Sequence, residues 1–290
     1  MLPLFKSHYS IGKSILTLDD PKKVTENGSD SIFKIIKDNS LERMVLIEDS
    51  LIGFFEAYKR SKEVGVDLIF GLRLSLRNSS LEDDANSQHK VVIFAKNANG
   101  CKLLNRIYSK AFCDFTGFLD SQSLKDLWQE NDLKLCVPFY DSFVHVNNFL
   151  FANCVPDFSF TKPTMFIERN NLAFDYLLES KVKEFASNNQ LTTVLTKTIY
   201  YNQRKDAKAF QTYKIICNRS IGKERNMQKP ELSHFCSDEF CFESWKENQN
   251  GKVLSVPGWQ YLILSTVSRF GPRPLVRKLG MNVRVRQRQK

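Results

Sequence analysis

The chain has 290 residues, 42% hydrophobic and 12% aromatic, which is enough to build a sizeable core in one large domain or two ordinary ones. Its net charge is +10, and eight of those excess charges lie from Arg269 onward, where there is no Asp or Glu. Attraction to phosphate therefore belongs mainly to the tail. The longest apolar stretches, such as 136–140 and 261–267, fall far short of a membrane span, and Lys6, His8 and Lys13 interrupt any leader-like run, so a cytoplasmic protein with no membrane partner is expected.

In chain order, 42–50 starts as a short apolar run, and 51–65 follows with Leu51, Phe54, Phe55, Tyr58 and Lys62 at helical spacing and Gly65 as its stop. The stretch "VDLIFGLRLSL" at 66–76 is rich in strand formers. Strand, helix and strand in so short a span predict a βαβ unit with two parallel neighbours. A polar surface loop is predicted at 77–88, then a strand at 90–96 and an amphipathic helix at 98–112. A helix at 123–131 with Ser123 as N-cap, strands at 133–140 and 163–168, a helix at 175–189, a strand at 191–201 and a helix at 204–217 continue the alternation. So many βα repeats predict an α/β fold built as a closed or nearly closed parallel barrel, with an open doubly wound sheet as the alternative. In both, sites gather at the C-terminal ends of strands.

Seven cysteines, at 101, 113, 136, 154, 217, 236 and 241, include no C-x-x-C pair, which fits reduced thiols. Cys236, Cys241 and His234 come nearest to a zinc spacing without matching one. No phosphate loop, dinucleotide fingerprint or nucleophile elbow is present.

Three stretches carry a family likeness: "VLIEDSLIGFFEAYKRSKEVGVDLIFGLRL", "KVVIFAKNANGCKLLNRIYSKAF" and "VLTKTIYYNQRKDAKAFQTYKIICN". In order and spacing they resemble the PHP (polymerase and histidinol phosphatase) domain, in the form found at the N-terminus of the bacterial DNA polymerase III alpha subunit. The likeness covers roughly 1–245 and leaves 246–290 as a basic, flexible tail. It implies a distorted barrel of seven βα units that holds up to three metal ions and, in some members, acts as a phosphoesterase or 3′–5′ exonuclease.

Matched position by position, the implied ligands are largely gone. Lys6 stands where the first His of a His-x-His motif belongs if His8 is the second, and Glu48 with Asp49 replaces an Asp-His pair. A metal-binding Glu falls on Arg73, which is always protonated and offers no lone pair. A ligating His is replaced by Asn170 or Asn171, and the last Asp and His become Thr198 and Tyr200. His8, Glu48 and Asp49 are the remaining candidate ligands; His89 and His145 read as surface or hydrogen-bonding residues.

The expectation is thus a degenerate, non-catalytic PHP-like module that needs no cofactor, partners a DNA polymerase or another replication protein, and acts in DNA replication or repair. The alternative is an active phosphoesterase or 3′–5′ exonuclease using Mn, Zn or Mg. Arg73 would either pair with Glu48 or Asp49 in place of a metal or recruit an anion. The tail residues Arg269, Arg273, Arg277, Lys278, Arg284, Arg286 and Arg288 are the candidates for non-specific DNA contacts through phosphates.

Overall fold

Short apolar runs separated by amphipathic segments fold as a ring of strands wrapped by helices. A computed structural model describes residues 1–25, 28–79, 86–217 and 237–249. The tail residues from Arg269 to Arg288, with Cys236 and His234, lie outside the described residues. The first elements are β1 (Leu2–Phe5), α1 (Ile32–Asp38), β2 (Arg43–Glu48), α2 (Phe54–Val64), β3 (Asp67–Arg77), β4 (His89–Ala95) and α3 (Ala98–Ser109). They are followed by β5 (Phe118–Asp120), α4 (Ser121–Leu127), β6 (Leu133–Val137), α5 (Phe143–Phe149), β7 (Thr164–Ile167), α6 (Asp175–Asn188), β8 (Thr192–Ile199), α7 (Ala207–Cys217) and α8 (Phe242–Gln249). α8 runs through the boundary expected at 245/246.

The strands close. Hydrogen-bonded pairing runs β2-β1-β8-β7-β6-β4-β3, and β2 pairs with β3 to complete a seven-stranded barrel, with β5 added at the C-terminal end of β3. Closure leaves no free edge in the ring and rules out the open doubly wound sheet. The predicted βαβ unit is present: β2 and β3 are parallel in register from Arg43↔Asp67 to Glu48↔Leu72, and Gly65 ends α2 at φ 76°, which a side chain would disfavour.

The barrel departs from the all-parallel expectation at one strand, for β4 is antiparallel to both β3 and β6. A parallel neighbour needs a crossover element, and the connection from Arg77 to His89 carries none among its described residues, so the chain turns back on itself. One local expectation also fails. The N-cap of α4 is Asp120, whose carboxylate accepts from the Ser123 N–H at 2.6 Å, because the helix starts three residues earlier than Ser123 as N-cap would allow. Of the two readings of His89 the hydrogen-bonding one holds and the surface one does not: as the first residue of β4 it is 2% exposed, its Nδ1 lies 3.3 Å from the Ser87 carbonyl oxygen, and its ring packs edge-on against Phe143.

Burial of His89 pushes its pKa down to about 4, and among the described residues its Nε2 has no hydrogen-bond partner. The unfolded chain therefore takes up a proton near pH 6.5 that the folded chain refuses until about pH 4. Stability is expected to fall by about 3 kcal/mol as pH drops through that window. Urea unfolding at pH 7 and pH 4.5 should show this slope in the wild type and a shallower one in His89→Phe.

Strand alternation sorts the side chains. Leu4, Val45, Ile47, Val92, Phe94, Cys136 and Phe166, joined by Val194, fill the barrel interior. β3 contributes Gly71 there, and the Phe94 ring occupies the space a side chain would take. The opposite strand faces meet the helices: Phe5, Met44, Leu46 and Phe70 pack with α1, α2 and α8, and Leu72, Leu74, Val91 and Ile93 with α3 and α4. Val137, Met165 and Ile167 pack with α5 and α6.

Candidate functional site

The same period of two that fills the interior determines what stands at its mouth. Two residues beyond Leu4 comes Lys6, beyond Ile47 comes Asp49, and beyond Gly71 come Arg73 and Ser75. Beyond Cys136 come Pro138 and Tyr140, beyond Phe166 comes Glu168, and beyond Val194 come Thr196, Thr198 and Tyr200. On antiparallel β4 the mouth lies before the interior residues, which places Lys90 there, directly opposite Ser75.

Cations of the protein lie at the centre of this ring. Lys6, 2% exposed, donates from Nζ to Asp49 Oδ1 at 2.9 Å. Arg73 Nη2 donates to Asp141 Oδ2 at 2.5 Å, and Nη1 stands 3.8 Å from Asp49 Oδ1. Burial works to raise the Asp49 pKa, but the charges of Lys6 and Arg73 overcome it and hold the carboxyl well below the usual range. Burial likewise opposes charge on Arg73, and Asp141 and Asp49 keep its guanidinium ionised. Asp141, the closer partner of Arg73, escaped the sequence reading. It follows β6 at φ 59°, a left-handed position that Asp tolerates, and its N–H donates to His145 Nδ1 at 3.0 Å.

Glu48 has the opposite parity to Asp49 and turns away from the mouth, under the loop after β1. It is fully buried, and accepts from Ser7 N at 2.9 Å and from the Ser10 hydroxyl. Burial raises its pKa against the pull of Lys6 and these hydrogen bonds. Ser10 Oγ also accepts from the Asp49 N–H at 3.0 Å, so one serine ties both carboxylate-bearing residues to the β1 loop. His8, between these serines, is exposed and lies against the Tyr9 ring.

The far side of the mouth is a hydrogen-bonded network around Glu168. Glu168 accepts from Thr198 N at 3.1 Å, Thr198 Oγ1 at 2.6 Å and Asn170 Nδ2 at 3.0 Å. Asn170 is fully buried and also donates to Tyr140, whose hydroxyl donates to Asp175 at 2.8 Å; Asn171 is exposed. Tyr200 lies parallel to Phe210 with ring centroids 5.3 Å apart. Between Lys6, Arg73, Tyr140, Glu168, Thr198 and Tyr200 remains a cavity of about 40 Å³. That is room for a few waters and far too little for a nucleotide.

These residues do not fit a metal centre. A divalent ion needs carboxylate and imidazole lone pairs that are clear of competing donors. Here Asp49 faces an ammonium and a guanidinium, Glu48 faces two serines, and Glu168 faces three N–H or O–H donors. Among the described residues no three His, Cys, Asp or Glu side chains are grouped to hold an ion. The structure thus gathers Lys6, Asp49, Arg73, Asn170, Thr198 and Tyr200 around one mouth, sets Glu48 beneath it and leaves His8 outside.

No family model and no curated protein matches the chain. Among solved structures, it is similar to a protein of Bifidobacterium adolescentis assigned as a metal-dependent phosphoesterase, at 10% identity and TM-score 0.37, covering 68% of this chain and 87% of that one. PsfC from Pseudomonas syringae is similar at 11% identity and TM-score 0.33, covering 67% and 74% of the respective chains. Among the described residues no helix is long and apolar enough to cross a membrane.

Proposed function

We propose that the chain is a metal-free barrel module of the PHP type, akin to the N-terminal domain of bacterial DNA polymerase III alpha subunits. In this reading it serves DNA replication or repair as a non-catalytic binding or structural component. The observation that supports it is the pair of cations, Lys6 and Arg73, hydrogen-bonded to the carboxylates at the mouth, where a hydrolytic relative would need open metal ligands. The cavity that remains is too small to take a nucleotide in. The partners proposed are a polymerase or another replication protein through the barrel surface, and DNA phosphates through the basic tail.

Elemental analysis of the purified chain tests the metal-free half of this reading. Mn, Zn and Fe are expected far below one equivalent after dialysis, and single-stranded DNA with Mn²⁺ or Zn²⁺ should be degraded no faster than by Asp49→Ala. Two or more retained transition-metal ions, or degradation that Asp49→Ala abolishes, would instead establish a phosphoesterase or exonuclease.

A further inference from the structure

Lys90 has no part in the reading above, yet its setting is unusual for a lysine. It stands on the interior face of β4, one step outside Val92 and Phe94, and so lies at the barrel mouth. Its Nζ donates to Ser75 Oγ at 2.6 Å, which fixes the amine over β3. The register pairs Lys90 with Ser75 and Val92 with Arg73. Lys90 and Arg73 are therefore diagonal cross-strand neighbours on one face, a spacing of about 7–8 Å that long side chains readily bridge.

A partly buried amine beside a guanidinium is the arrangement that turns a lysine from a surface charge into a nucleophile. The ammonium form is disfavoured twice, by lost hydration and by the like charge of Arg73. The charged groups around it are Arg73 on β3, Asp49 after β2, Asp141 after β6 and Lys13 in the loop after β1. Burial first, and then Arg73 and Lys13, outweigh the two aspartates and bring the amine down to about 8. Near neutral pH Lys90 is then uncharged about a hundred times more often than an ordinary lysine.

We propose that Lys90 is a reactive amine that forms an imine with short oxo acids, the carboxylate of which is met by Arg73 and Lys13. Among the described residues Arg73 makes one side-chain hydrogen bond, to Asp141, which leaves guanidinium N–H groups toward the mouth. The diagonal spacing of about 7–8 Å between Lys90 and Arg73 suits a two- or three-carbon acid that bridges them over a sugar or nucleotide. In the reaction the neutral amine adds its lone pair to the carbonyl carbon and forms a carbinolamine. The nitrogen then loses both hydrogens as the carbonyl oxygen departs as water, so a C=N bond replaces the C=O bond and nothing is oxidised or reduced. The Asp141 carboxylate and the Ser75 hydroxyl are the groups near the amine able to carry its protons. This assignment concerns amine chemistry and stands or falls independently of the role in replication.

The test uses the full chain with glyoxylate and cyanoborohydride, which traps the imine as a carboxymethyl amine, followed by peptide mapping. Glycolaldehyde, of equal size but uncharged, is the comparison. The α-amino group of Met1 is the internal reference, a primary amine mapped in the same digest. With glyoxylate, Lys90 is expected to be modified at least about tenfold faster than that reference and than other lysines. Its rate should rise with pH to a plateau above about pH 8, and its advantage should vanish with glycolaldehyde. Lys90→Arg, which keeps the charge, should remove the fast phase. Labelling of Lys90 no faster than that of the reference, or an equal advantage with glycolaldehyde, would overturn the proposal. The site map is read on the wild type, so it does not depend on the folding of any variant.

Discussion

Replacing Arg73 by methionine is expected to lower the free energy of unfolding by about 2–4 kcal/mol, although methionine keeps an apolar stem in place of the aliphatic part of arginine. The loss comes from what is left behind. Asp141 and Asp49 keep their positions on the rim but lose the guanidinium that holds them ionised. A fully buried pair would cost more, but Asp141 is half-exposed, and water recovers part of its solvation. The pH dependence identifies the cause. Both aspartates have folded pKa values below the ordinary one, so the stabilisation by Arg73 is complete above about pH 4 and fades as pH falls further. Urea unfolding of wild type and Arg73→Met at pH 7 and at pH 2.5 should show a large gap that narrows in acid. Arg73→Lys, with a point charge in place of the planar fork, should fall between them. A variant as stable as wild type at pH 7 would show that the rim carboxylates do not depend on Arg73.

That expectation follows from a residue visible in the sequence, but its main partner was not. Arg73 announces itself as a lone charge in "VDLIFGLRLSL", where strand period and apolar neighbours leave it nowhere to go but a mouth or a lumen. Asp49 could be paired with it because both end strands of one βαβ unit. Asp141 lies 68 residues away, and no local pattern states that β6 pairs with β4 and so brings Asp141 close. The reversal itself had a legible sign, for a polar segment without helical periodicity cannot cross over to a parallel neighbour. Glu168 and Tyr140 also had one: each continues the alternate-residue series of an interior strand, Phe166 to Glu168 and Cys136 to Tyr140. Reading the strands only to their apolar ends hid the polar residues that follow on the same face. The surface reading of His89 failed for the complementary reason, since a polar residue after a polar loop looks exposed until the strand it starts is seen to enter the core.

The mouth and the interior are one continuous layer system, which makes the packing below the charges a second point of large effect. Phe94→Ala should cost about 3–5 kcal/mol, because the ring is buried in a closed barrel whose walls cannot collapse onto the void. Gly71→Ala should cost about 1–3 kcal/mol by the opposite route. A Cβ at that position would stand 2.5 Å from Phe94 Cε1 and 2.9 Å from Cδ1, and the ring has little room to retreat among Val92, Ile47 and Phe166. Backbone conformation does not explain the glycine, since Gly71 is not among the positive-φ glycines of the chain. Alanine would even gain about 0.4–1 kcal/mol from a less flexible unfolded state if the space were open. The two substitutions should therefore be strongly non-additive. On the Phe94→Ala background the added methyl meets a void in place of a ring, so Gly71→Ala is expected to become neutral or stabilising, a coupling of about 1–3 kcal/mol measurable from four denaturation curves. An equal cost of Gly71→Ala on both backgrounds would mean that the ring does not impose the glycine, and that some other contact within β3 does.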